Sequence, residues 1–119
     1  MPFLFILGGP NGSGKTTFYR TAIDQGFISL DLPFVNIDLM IQNEFGGYSE
    51  ENIKLAENLY KQTVAEFISE EWDFMIESNI AYQSDYDWMN AMVRRGYKII
   101  LYFLYTQNVT INIERVQKK

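Results

Sequence analysis

Phe3-Leu4-Phe5-Ile6-Leu7-Gly8-Gly9-Pro10-Asn11-Gly12-Ser13-Gly14-Lys15-Thr16-Thr17 is the stretch on which the reading of this chain turns. Five apolar residues run into a glycine-rich turn, and the turn runs into a segment of helical character. From Gly9 the residues fit G-x-x-x-x-G-K-[ST] at every fixed position. With average residue usage, a window matches that pattern by chance about 4 times in 100,000, so the match carries weight even before the preceding strand is considered. Glycines at 9, 12 and 14 leave no Cβ in the way, and backbone N–H groups can converge on a phosphate. A helix starting near Gly14 adds its free N–H groups and the positive end of its dipole at the same place. Gly9, Pro10, Asn11, Gly12, Ser13, Gly14, Lys15, Thr16 and Thr17 are therefore read as a nucleotide phosphate site. Lys15 reaches the β- and γ-phosphates, and the Thr16 hydroxyl is the Mg²⁺ ligand.

The rest of the composition narrows the partner. At 119 residues the chain suits one domain, read here as a single nucleotide-binding domain over 1–119. Hydrophobic residues make up 47% and aromatics 16%, which is the balance of a globular chain and not a disordered one. A net charge of -5 with few, scattered cations argues against nucleic acid and for a small phosphorylated ligand at one cationic loop. There is no cysteine and no histidine, so disulfides, thiolate metal sites and a histidine base are all excluded. The apolar run at 3–7 is too short for a membrane span and no signal peptide pattern precedes it, so the expected location is cytoplasmic, away from membranes.

Strand and helix signals alternate along the chain, which predicts a three-layer α/β/α sandwich with a mainly parallel sheet of about four strands. The expected strands are Pro2–Leu7, Phe34–Asp38, Asp73–Glu77 and Ile99–Leu104. Helices are expected at 15–25, at 49–71 behind a Ser49 cap, after a Ser84 cap, and at 108–119. The second places Ile53, Ala56, Tyr60, Val64, Phe67 and Ile68 on one core-facing stripe. The third turns Trp88, Met89, Met92 and Val93 inward. It ends at Arg94 and Arg95, which complement the helix C-terminus, with substrate binding as the alternative. The last carries Val109, Ile113 and Val116 at helical spacing.

In open α/β sheets the ligand lies outside the carboxyl ends of the strands. Two acids end strands in this reading, Asp38 and Glu77. Phosphoryl transfer needs positioning, Mg²⁺ and an acceptor for the proton of the attacking hydroxyl. With no histidine, a carboxylate takes that role, and Asp38 is the candidate base. Glu77 orients the acceptor or holds Mg²⁺ through water, with Asn79 beside it as a further acceptor contact. Arg115, on the last segment, is either a cation leaning over the γ-phosphate or a solvent-facing helix residue.

Together G-G-P-N-G-S-G-K-T-T at 8–17, F-V-N-I-D at 34–38, I-E-S-N at 76–79, R-R-G-Y-K at 94–98 and I-E-R-V at 113–116 resemble the zeta toxin family of P-loop kinases. The resemblance implies a kinase that moves the γ-phosphate of ATP, with Mg²⁺, to a sugar hydroxyl. In toxin members the acceptor is UDP-N-acetylglucosamine, and a small antitoxin protein blocks the ATP site. It also implies Lys15 and Thr16 at the phosphate and metal positions, Asp38 as catalytic base, Glu77 as the acid that binds the sugar, and Arg115 near the triphosphate. Family members continue past the I-E-R-V block with an arginine-containing stretch, a helix and a strand, whereas this sequence stops at Gln117-Lys118-Lys119. The chain is thus expected to be C-terminally short, as a fragment of a longer protein or as a short relative with impaired chemistry. Asn79 also stands where toxin members commonly have threonine. The competing readings are an ATP-binding or ATP-hydrolysing module without a small acceptor, and an inert fragment acting through protein partners.

Overall fold

Successive side chains of a strand point to opposite faces, and β1 (Phe3–Gly8) shows both faces covered. Leu4 and Ile6 enter one apolar cluster, Leu7 and Phe5 the other. The structure, a computed structural model, describes residues 1–10 and 14–104, with 111–114 described for the backbone alone. After β1 come α1 (Lys15–Asp24), β2 (Phe34–Val35), α2 (Ile37–Glu44), α3 (Glu50–Ser69), β3 (Phe74–Ser78), α4 (Gln83–Arg94), β4 (Lys98–Leu104) and β5 (Ile111–Glu114). The sheet order is β2-β3-β1-β4-β5. β1 lies parallel between β3 and β4, with Ile6 opposite Ile76 and Leu101.

Helices cover both faces, as a sheet buried on two sides requires. Phe18, Tyr19, Ala22 and Ile23 of α1 pack on Leu7, Met75 and Leu104. Val64 of α3 and Met89 and Met92 of α4 pack on Leu4, Ile6, Phe74, Ile76 and Ile99. Fully burying each such side chain contributes roughly 1.5–3 kcal/mol. Four parallel strands in a three-layer α/β/α arrangement match the expected fold.

Four local expectations are corrected. The segment expected as a final helix contains β5, which pairs antiparallel with β4, Ile113 opposite Tyr102. Ile111-Asn112-Ile113-Glu114 alternates apolar with polar and is rich in β-branched residues, so the strand period wins over the helical spacing of Val109, Ile113 and Val116. The strand expected through Asp38 stops at Val35. Asn36 accepts the Leu39 N–H at 3.3 Å and caps α2, whose first turn then carries Asp38, where the helix dipole favours an acid. Ser84 is not the cap of α4; the N-cap is Tyr82, and the Asp85 carboxylate reaches back to accept the N–H groups of Ala81 and Tyr82. Ile53 is exposed, unlike the rest of its stripe. At 20 residues α3 is roughly 30 Å long, while a strand of five residues spans about 17 Å, so part of the helix has no sheet to cover.

One close contact lies at the carboxyl end of β1. A Cβ on Gly8 would stand 2.5 Å from Ile80 Cδ1, 3.2 Å from its Cγ1 and 3.4 Å from Leu101 Cδ1. Gly8→Ala is expected to destabilise the protein by about 1–3 kcal/mol through overpacking. Urea unfolding measures it, and an unchanged midpoint would mean that Ile80 moves aside freely.

Candidate functional site

β1, β2 and β3 are parallel, so their carboxyl ends lie along one edge and bring together the loops that leave them. After β1 the backbone turns at Gly9, whose N–H meets the Ser78 carbonyl at the end of β3 at 3.3 Å. Gly14 adopts φ +88°, a left-handed conformation that L side chains rarely take, and from there the chain enters α1. Among the described residues no side chain caps this helix N-terminus, and free helix N–H groups suit an anion. Lys15 is buried, and its ammonium donates to Gly9 O at 2.6 Å and Asn79 Oδ1 at 2.9 Å. Both of these hydrogen-bond partners are neutral oxygens, and the nearby Glu77 carboxylate interacts with the positive charge through space. Thr16 and Thr17 are exposed in the first turn. The helix N-terminus, the fixed Lys15 ammonium and the exposed Thr16 hydroxyl fit nucleotide phosphates and one Mg²⁺. Asn11, Gly12 and Ser13 lie outside the described residues, as does Arg115.

Beyond Asn79 opens a cleft of about 790 Å³ between the sheet edge and helices α2, α3 and α4. Asn36, Asp38, Glu77 and Asn79 line its polar end, and Tyr60, Val64, Trp88 and Met89 its apolar walls. The structure thus brings Asp38, Glu77 and Asn79 to one cavity and ties Lys15 to it through Asn79. Arg94 and Arg95 do not line it; they end α4 in solvent.

Each polar group is held by a local device. Asp38 Oδ1 accepts the Tyr48 hydroxyl at 2.8 Å. Glu77 Oε2 accepts the Asn36 amide at 2.7 Å. Asn79 precedes Ile80, which sits at φ +52°, a conformation that costs a β-branched residue about 1–2 kcal/mol. The Ile80 N–H bonds Ser78 Oγ at 3.0 Å and its side chain is buried, so packing over-determines the strained backbone beside Asn79.

Burial pushes the Glu77 carboxyl above its ordinary value of 4.5, and the nearby Asp38 charge adds to the rise; the Lys15 ammonium and the Asn36 amide oppose both. The Tyr60 phenol, buried against the cleft wall and near Asp85, is pushed up to about 12. Because the Glu77 value is raised on folding, its contribution to stability is fully present below the unfolded value near 4.5 and is lost as pH rises through the raised one. Glu77→Gln removes that loss while keeping an oxygen for Asn36. Its melting temperature is expected to exceed that of the wild type at pH 8, and the gap should close as the pH is lowered to 4; a gap that is the same at both pH values would refute the burial account.

Several lining residues escape a sequence reading. Lys61 of α3 faces the cleft, though nothing in its neighbourhood marks it. Tyr60 and Trp88 are read as core and do pack on it, yet they also wall the cavity. Tyr48 reaches Asp38 only because the loop at 45–48 folds back, tied by the Asn52 amide to Phe45 O and Gly47 O at 3.1 and 2.7 Å. Asn36 does carry a signal, since Asn two residues before an acid is an N-cap pattern.

Among the described residues no helix is long and apolar enough to cross a membrane. No curated protein matches the chain. Solved structures do. A chain of the PezAT chromosomal toxin-antitoxin system of Streptococcus pneumoniae superposes with a TM-score of 0.68 at 22% identity, covering 89% of this chain and 48% of that one. A protein of Chloroflexus aurantiacus described as a candidate kinase gives 0.61 at 22%, covering 87% and 59%. The Pnkp1/Rnl/Hen1 complex gives 0.55 at 20%, covering 99% and 45%. The chain therefore spans about half the length of the structures it resembles, and at these identities the likeness is one of fold. The AAA domain model matches residues 4–119, from β1 to the last residue. This chain belongs to the AAA domain family, on a P-loop α/β fold.

Proposed function

We propose that residues 1–119 form one nucleotide-binding, kinase-like domain that transfers the γ-phosphate of ATP to a hydroxyl of a small metabolite held in the cleft. The observation that carries this reading is the convergence of Lys15, Asp38, Glu77 and Asn79 at the carboxyl ends of adjacent parallel strands. When bound, Mg·ATP, held by Lys15 and the Thr16 hydroxyl, would supply the transferable phosphoryl group and a divalent cation to neutralise its charge. Lys15, already held by Gly9 O and Asn79 Oδ1, balances the charge that builds on the incoming phosphates. Thr16 offers its hydroxyl to the metal. Asp38 accepts the proton of the attacking hydroxyl, and its link to Tyr48 leaves one carboxylate oxygen for that task. Glu77 and Asn79 orient the acceptor.

Within this reading, the narrower assignment is a zeta-toxin-like kinase acting on a sugar hydroxyl, with UDP-N-acetylglucosamine as the first acceptor to test. It is supported by the five sequence blocks and by the fold shared with a chain of a toxin-antitoxin system. An antitoxin covering the nucleotide loop would follow from the same assignment. Radiolabelled ATP and Mg²⁺ offered with a panel of hydroxyl compounds led by that sugar nucleotide are the test. Label appearing on an acceptor supports the kinase; ATP hydrolysis at a rate indifferent to every acceptor would replace it with an ATPase module.

A further inference from the structure

We propose that Asn36 is the positioning residue that sets the distance between the two acids of the cleft. The proposal rests on the kinase reading for its consequences in catalysis, and on geometry alone for the link itself. Asn36 is 9% exposed and sits where β2 ends and α2 begins. Its Oδ1 accepts the Leu39 N–H at 3.3 Å, fixing the turn that carries Asp38. Its Nδ2 donates to Glu77 Oε2 at 2.7 Å, at the end of β3. One planar amide thus joins the element bearing Asp38 to the element bearing Glu77, which lies 39 residues further along the chain.

Few side chains can do both jobs. The cap needs an acceptor and the link to Glu77 needs a donor, and a carboxamide supplies each from its own end. Aspartate caps a helix as well as asparagine does but has no donor, and it would set a second carboxylate against Glu77. Serine also caps well but falls short of Glu77. Capping and bridging are therefore separable by substitution. Other charges around Glu77 are Lys15, Asp38, and the cleft residues Lys61 and Asp85, and none of these is altered by changing Asn36.

The test uses Asn36→Asp, Asn36→Ser and the double variant Asn36→Asp/Glu77→Gln, each with three readouts: kcat for phosphoryl transfer, Kd for Mg²⁺ with a non-hydrolysable ATP analogue, and melting temperature at pH 8. If Asn36 positions the acids, kcat falls on the order of 10²-fold in both single variants, the cost of a reacting group misplaced by about 1 Å, while nucleotide Kd is unchanged. The melting temperature falls in Asn36→Asp and recovers in the double variant by more than Glu77→Gln alone raises that of the wild type, because the glutamine amide can donate to the new carboxylate. Asn36→Ser with wild-type kcat would reduce Asn36 to a helix cap and overturn the proposal. So would a parallel loss of kcat and nucleotide affinity, or a double variant whose gain over Asn36→Asp is no larger than the gain of Glu77→Gln over the wild type. A wild-type chain that phosphorylates no acceptor overturns the kinase reading instead, and the recovery of stability then decides the bridge by itself.

Discussion

Lys15→Ala is expected to abolish saturable binding of Mg²⁺ and a non-hydrolysable ATP analogue in a calorimetric titration, and to lower phosphoryl transfer by ~10³-fold or more. The size of the effect follows from where the charge sits. The ammonium is buried, held at 2.6 and 2.9 Å by two neutral oxygens, so a phosphate meets a cation with little water to displace and shares it only with the nearby Glu77 carboxylate. A cation already oriented costs no reorganisation as charge builds on the transferring group. Alanine leaves Gly9 O and Asn79 Oδ1 without their donor. Asn79 is exposed and can turn to solvent, so the fold should survive while the phosphates lose their anchor. Removing the ammonium should also raise the Glu77 carboxyl further, because Lys15 is the main influence holding it down. A variant that binds the analogue as the wild type does would remove Lys15 from the phosphate site.

Asp38→Asn is expected to reduce kcat by ~10²–10⁴-fold, the range of a lost general base, with the Kd for nucleotide unchanged. Asparagine is nearly isosteric, and its oxygen can still accept the Tyr48 hydroxyl, so the loop at 45–48 and the start of α2 should keep their form. The loss is confined to the basicity of the second oxygen. Single-turnover transfer from ATP separates this from a binding defect. Unaltered transfer would mean that the proton leaves by another route and that Asp38 belongs to the helix terminus alone.

How much of the fold and the site is legible in the sequence depends on how local each feature is. The phosphate loop demands fixed residue types in consecutive positions, and β1, Gly14 and Lys15 fall where that pattern puts them. Asp38 and Glu77 are legible as acids beside strand ends, although Asp38 reaches the edge on the first turn of a helix and not on a strand. There a cap wins over strand propensity, because Asn36 satisfies an N–H that an extended chain would have paired with a neighbour. β5 escapes for the opposite reason: its strand character is realised only by pairing with β4. Lys61, Tyr48 and the double role of Trp88 depend on how α3, α4 and the loop at 45–48 lie against the sheet, and no short window of sequence contains that. Arg115 lies outside the described residues.

If Lys15 holds the phosphates as proposed, its side chain also ties folding to occupancy. Taking an ammonium out of water is a burden on the folded state, which two neutral oxygens and the nearby Glu77 carboxylate offset. A polyanion relieves that burden when it binds. The protein with a filled loop should therefore be a measurably tougher molecule than the same protein with an empty one, by about 2.7 kcal/mol when ligand is present at 100 times its Kd. In a cell, resistance to proteolysis would then track nucleotide supply, with Lys15 as the residue through which the two are coupled.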